Sequence, residues 1–117
     1  MKAELKVTSL NVQGSLKSRL LHLRKDKSIM VSDIICLQET GQTSEALNLN
    51  GYTGFHGGGG KNKGVSIYVR DGMTRHIMEP QKKFDNQFYQ VLKLCCTAFD
   101  IITVYLANGQ TASSIKG

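Results

Sequence analysis

The sequence predicts an α/β (α+β) fold: a mixed sheet that opens with a strand, a helix and a second, parallel strand and continues through antiparallel strands. Three observations carry this. Leu5 and Val7 alternate with Lys6 and Thr8, the period of a half-buried strand over residues 5–12. After Gln13-Gly14 breaks that pattern, Ser15 can cap a helix, and Leu16, Leu20 and Leu23 recur at helical spacing over about residues 16–27. Ile34-Ile35-Cys36-Leu37 is then an unbroken apolar run, which suits a strand covered on both faces. A strand, a helix and a strand in that order imply a right-handed crossover and parallel strands.

The remaining elements are read in chain order. Arg24, Lys25 and Lys27 collect near the carboxyl end of the predicted helix, where cations complement the helix dipole. Residues 40–51 are polar and glycine-punctuated, and Tyr52 to His56 form a short strand. Val65, Ile67 and Val69 alternate with Ser66, Tyr68 and Arg70 in a clear strand, and Asp71-Gly72 predicts a hairpin into a strand over Met73 to Met78. Beyond Pro80 and the basic pair Lys82-Lys83, Phe88 to Thr97 reads as a long strand, Phe99-Asp100 as a turn, and Ile101 to Leu106 as the returning strand. No internal repeat or domain linker interrupts the chain, so residues 1–117 read as one domain or part of one.

Composition narrows the classes. An apolar fraction of 40% with 21% charged residues predicts a packed core and argues against disorder. Lys and Arg outnumber Asp and Glu by 15 to 9, and the net charge of +6 suits an anionic partner such as nucleic acid, or else a solvated basic surface. The three cysteines, Cys36, Cys95 and Cys96, are odd in number with two adjacent, a pattern of neither a disulfide framework nor a zinc site. No stretch has the pattern of a signal peptide or the ~20 apolar residues of a membrane span. The expected setting is intracellular, in the nucleus or cytoplasm, with no membrane partner.

If the first two strands are parallel neighbours, Asn11 and Glu39 leave their carboxyl ends together, the edge of an open α/β sheet where ligands bind. Taken alone, Glu39 is a solvated loop residue and Asn11 a turn former before Gly14. The motif Ser9-Leu10-Asn11-Val12-Gln13-Gly14, followed by Asp33-Ile34-Ile35-Cys36-Leu37-Gln38-Glu39-Thr40, resembles the first two motifs of the endonuclease/exonuclease/phosphatase (DNase-I-like) superfamily. Gly64-Val65-Ser66-Ile67-Tyr68-Val69-Arg70 resembles that family's Gly-led strand. Thr103-Val104-Tyr105-Leu106-Ala107-Asn108-Gly109 is similar to a further motif, with Ala107 in place of the usual Pro. The wording is nearest to that of mobile-element and abasic-site endonucleases.

The resemblance implies a four-layer α/β sandwich, of which this chain would supply about the amino-terminal half, and a magnesium-dependent phosphodiesterase or endonuclease acting on nucleic acid, DNA in the first instance. It implies Glu39 as the Mg2+ ligand, with Mn2+ as a substitute, and Asn11 beside it orienting the metal-bound groups. Gln13 stands where many members carry Asp or Asn near the metal. Tyr105 would donate to the scissile phosphate, or else serve as an ordinary strand aromatic. Asn108 would contact phosphate, or else form a turn with Gly109. The glycine run before Lys61 is no phosphate loop, since Phe55 and Asn62 break its pattern, but Lys61 and Lys63 form a basic loop suited to a nucleic-acid backbone. His22, His56 and His76 have no metal spacing and no neighbouring nucleophile, and receive no chemistry.

The family's Asp-x-Asn and Asp-His motifs, which activate water and bind phosphate, have no counterpart after Tyr105. The expectation is therefore a carboxyl-terminally truncated domain, inactive or weak alone, with an exposed apolar sheet face that pairs in a homodimer or with a complementing polypeptide. The alternative is a noncatalytic remnant that binds nucleic acid or a protein partner.

Overall fold

A computed structural model describes residues 5–12, 22–40, 49–57, 64–78, 82–85, 89–106 and 111–116. In chain order these form β1 (Val7–Asn11), a short helix α1 (Lys27–Met30), β2 (Ile34–Gln38), β3 (Tyr52–Gly57), β4 (Val65–Arg70), a 3-10 helix (Asp71–His76), β5 (Lys82–Asp85), β6 (Tyr89–Cys95), β7 (Asp100–Leu106) and β8 (Thr111–Lys116). Two four-stranded sheets result, ordered β1-β2-β4-β3 and β5-β6-β7-β8. β1 and β2 are parallel, and β2–β4, β3–β4 and every pair of the second sheet are antiparallel. The chain is thus a mixed α/β fold, as its sequence predicts.

The apolar run of β2 is buried along its whole length, because alternate side chains enter two different cores. Ile34 and Cys36, with Val65, Ile67 and Val69 of β4, pack against Leu92, Leu94, Cys96, Ile101 and Tyr105 of the second sheet. Ile35, Leu37 and Tyr68 face the other way and pack with Leu23, Leu49 and Tyr52, while Ile29 and Met30 of α1 lie against them. In β6 and β7 burial alternates residue by residue, with Gln90, Leu92, Leu94, Ile101, Thr103 and Tyr105 inward and Val91, Lys93, Ile102 and Val104 half-buried outward.

Three expectations are corrected. The chain was expected to contribute largely one sheet, but two sheets form, and the second packs on the Ile34, Cys36, Val65 and Ile67 face of the first. Half of the helix expected over 16–27, residues 16–21, lies outside the described residues; in the other half, His22 and Leu23 are helical, Arg24 and Lys25 turn, and Asp26 caps the separate helix α1. Asp26 is the cause: its carboxylate accepts from the Ser28 amide at 3.0 Å and the Ser28 hydroxyl at 2.5 Å, capping a new amino terminus. Those bonds also hold the Asp26 carboxyl below its usual range, the Ser28 side chain contributing most.

The third correction concerns Asp71-Gly72, which begins a 3-10 helix and not a hairpin strand. The Asp71 amide donates to the Gly51 carbonyl (3.0 Å), its carboxylate accepts from Thr53 Oγ1 (2.8 Å), and its own carbonyl accepts from Thr74 Oγ1 (2.9 Å). These bonds wind the backbone and turn Met73 and Ile77 onto the inter-sheet core, leaving only an Ile77–Cys96 bridge of the expected strand.

A polar lock closes the end of the first sheet where β2 begins. Arg70 Nη2 donates to the Ser32 carbonyl at 2.7 Å, its guanidinium lies 3.5 Å from Asp33 Oδ1, and Asp33 Oδ2 accepts from the Lys6 amide at 3.0 Å. Tyr52 OH donates to the Ser32 carbonyl at 2.6 Å, which ties β3 to the same turn. Its burial pushes that hydroxyl above its usual pKa.

Two predictions follow from this packing. A Cβ on Gly54 would stand 2.7 Å from Tyr68 Cε1, and Tyr68 is fully buried, whereas a Cβ on Gly72 meets nothing. Gly54→Ala should therefore cost about 1–3 kcal/mol by overpacking, and Gly72→Ala should change stability by no more than about 1 kcal/mol, both read from urea unfolding midpoints.

The second concerns His56, buried with Nδ1 2.7 Å from Ser66 Oγ. Burial, with a smaller contribution from Lys83, lowers its pKa below the ordinary value of about 6.5. The folded chain then resists protonation while the unfolded chain accepts it, so His56 has no effect on stability above about pH 6.5 and destabilises the fold as pH falls below it. Unfolding free energies measured between pH 7.5 and 5 should fall more steeply for the native chain than for His56→Phe; parallel profiles would contradict this.

Candidate functional site

The parallel register of β1 and β2 sets Asn11 opposite Gln38, and the Val12 amide donates to the Gln38 carbonyl at 2.8 Å. Glu39 is therefore the first residue past the sheet on the strand beside Asn11. Asn11 Nδ2 donates to Glu39 Oε2. An amide so turned presents its Oδ1, an acceptor, on the opposite side from the carboxylate.

Glu39 has φ = +56°, the one non-glycine residue with positive φ among those described. An L-residue in this left-handed region costs about 1–3 kcal/mol and persists only where its surroundings impose it. Here the neighbours do so. Gln38 is buried and its Nε2 donates to Ser9 Oγ at 3.1 Å, while the fully buried Thr40 donates its amide to the Gly64 carbonyl at 3.3 Å. Glu39 is held between two anchored residues with its side chain half-exposed, aimed back at Asn11.

The second sheet reaches the same end. Gly64, at φ = +101°, leads into β4, and its amide donates to Gln90 Oε1 at 2.6 Å. Gln90 pairs across β6 and β7 with Tyr105, and both point into the space between the sheets. Thr40, Gly64, Gln90 and Tyr105 thus form a connected series from the Glu39 turn to Tyr105. Tyr105 is also core: it is buried and packs among the inter-sheet residues, so the strand-aromatic role is present whatever its hydroxyl does.

Gln13, Lys61, Lys63 and Asn108 lie outside the described residues. Their described flanks stand at this same end: Val12 beyond β1, Gly57 and Gly64 where β3 and β4 pair through Gly57 and Val65, and Leu106 and Thr111 where β7 meets β8.

Two residues of this end escaped the sequence analysis. Gln90 is buried and its Nε2 donates to Asp85 Oδ1 at 3.1 Å, which brings a second carboxylate-bearing strand end to the site. A signal existed: Gln90 is in phase with Leu92 and Leu94, so a polar side chain occupies an inward position of an alternating strand. On the other face of β1, a pocket of about 210 Å3 is lined by Leu10, Asn11, Val12, His22 and Leu23.

The Glu39 carboxylate could hold a hard divalent cation, with the remaining positions left to water and phosphate oxygens, while Asn11 acts on it through the carboxylate that it hydrogen-bonds. Among the described residues no group of three or more His, Cys, Asp or Glu side chains that could hold a metal ion gathers. No helix among them is long and apolar enough to cross a membrane. No protein-family model matches the chain and no curated protein matches it, so its assignment rests on the motifs and the geometry described above.

Proposed function

We propose that the end of the sandwich carrying Asn11 and Glu39 is a divalent-cation site for hydrolysis of nucleic-acid phosphodiesters, with Mg2+ as the ion and Mn2+ as a substitute. One observation carries the reading: an amide and a carboxylate in contact where two parallel strands end, with Glu39 held in a left-handed backbone that costs energy. Strain of this kind concentrates at functional positions.

A bound cation supplies polarisation of a phosphoryl oxygen and partial neutralisation of its charge. The chain's own residues do the rest of what it offers. Glu39 would hold the ion, Asn11 fixes the Glu39 carboxylate through its hydrogen bond, and Tyr105, buried between the sheets, is the hydroxyl proposed to donate to phosphate. The net charge of +6, with Lys61 and Lys63 in the sequence that connects β3 to β4, favours nucleic acid over a small phosphate ester, and DNA is the proposed substrate. Cation binding, nucleic-acid binding and slow hydrolysis are proposed for this chain. Cys36, Cys95 and Cys96 form no disulfide among the described residues, which fits a reducing compartment, the nucleus or cytoplasm.

A second reading is noncatalytic nucleic-acid binding, favoured by the single carboxylate in contact with Asn11. Plasmid nicking in Mg2+ separates the two. Slow, chelator-sensitive nicking that drops about 100-fold or more in Glu39→Ala supports hydrolysis; equal behaviour of the native chain and Glu39→Ala, with DNA binding intact, leaves only the binding function.

Glu39→Gly gives an independent check on the strain. It should raise stability by about 1 kcal/mol, because glycine adopts positive φ without penalty, while abolishing the response to Mg2+ in a thermal melt. A stability loss would contradict the strain argument.

A further inference from the structure

We propose that Gln90 is a positioning residue that couples the two sheets at this site, holding the Glu39 turn in register with Tyr105. The proposal rests on the cation-site reading above and names the device that keeps that site assembled.

Asn11 and Glu39 belong to the first sheet and Tyr105 to the second, and apolar packing between sheets is non-directional, so it does not by itself fix their relative register. Gln90 supplies direction. Its carboxamide is buried between the sheets and uses both ends: Oε1 accepts from the Gly64 amide at 2.6 Å, and Nε2 donates to Asp85 Oδ1 at 3.1 Å. Gly64 in turn accepts from Thr40, the residue after Glu39. One side chain of the second sheet therefore grips the backbone that Glu39 turns upon.

Replacing Gln90 with an apolar residue of similar size would leave the buried Gly64 amide without this acceptor, and that loss would reach Glu39 through one backbone hydrogen bond. Outer-shell partners of metal sites act in this way, and their removal lowers metal affinity by about 10- to 100-fold. Glu39 itself would be untouched.

The test uses the 15N-labelled full chain, with Mn2+ as the probe and two readouts. Amide exchange at Gly64 reports the bond, and paramagnetic broadening of Glu39 and Asn11 resonances reports the cation. In Gln90→Leu the Gly64 amide should exchange at least about tenfold faster, and half-saturation by Mn2+ should need about tenfold more ion.

The double variant Gln90→Glu with Asp85→Asn reverses the polarity of the pair: the new carboxylate accepts from Gly64 and from the new amide. It should restore both readouts. Leu92→Val, which loosens the same core, should lower the melting temperature without moving the Mn2+ response, so a merely structural role is told apart. Asp85→Ala, at an exposed position, gives a milder version of the Gln90→Leu effect should that variant fold poorly.

Unchanged Gly64 exchange and Mn2+ half-saturation in Gln90→Leu, or no recovery in the reversed pair, overturns the proposal. A native chain in which Mn2+ broadens neither Glu39 nor Asn11 overturns the cation reading instead, and with it the proposal; the native titration thus separates that failure from one specific to Gln90.

Discussion

The parallel pairing of β1 with β2, in the register that sets Asn11 opposite Gln38, is the constraint from which the rest of the molecule follows. Parallel neighbours cannot be joined by a tight turn, so the connection must cross one face of the sheet, and the residues it carries there, Leu23, Ile29 and Met30, bury that face. The opposite face of the same strands then needs its own cover, which the second sheet provides through Leu92, Leu94 and Ile101. Because both strands run the same way, their carboxyl ends also coincide, and a carboxylate and an amide separated by 28 positions become hydrogen-bonded neighbours.

The two ends of the first sheet are built from different chemistry. Where β2 begins, Arg70, Asp33, Tyr52 and the Ser32 carbonyl satisfy one another in a largely enclosed network, a scaffold for the start of the strands. Where β2 finishes, backbone strain at Glu39 is held in place by buried neighbours on either side, with Asn11 exposed and Glu39 half-exposed. Enclosed polar groups that are mutually paired stabilise and specify, whereas a strained, accessible carboxylate is the setting on which the proposed cation binding rests. The site end is also where Gly57, Gly64, Gln90, Tyr105 and Leu106 converge, so that both sheets contribute to it.

Much of the first sheet was legible from residues alone. The unbroken run Ile34 to Leu37 announced a strand buried on both faces, and the alternation from Val65 to Arg70 announced its neighbour, because burial writes its period into the sequence. β5 and β8 were not legible. They are edge strands, rich in Lys, Asp, Ser and Thr, and a strand that pairs along one side only needs little apolar pattern. Asp71-Gly72 misled for the opposite reason: its local turn chemistry is real, but bonds from Gly51, Thr53 and Thr74 bent it into a 3-10 helix.

For the candidate site, the sequence by itself determined that Asn11 and Glu39 would lie at the carboxyl ends of two parallel strands, since direction follows from the strand, crossover and strand pattern; that the strands are neighbours came from the structure. Only the tertiary structure decided the left-handed backbone at Glu39, the second sheet over the first, and the place of Gln90 between them. Those features depend on contacts between residues far apart in the chain. Local periodicity reports which way a side chain faces, and it carries no information about which distant backbone will meet it.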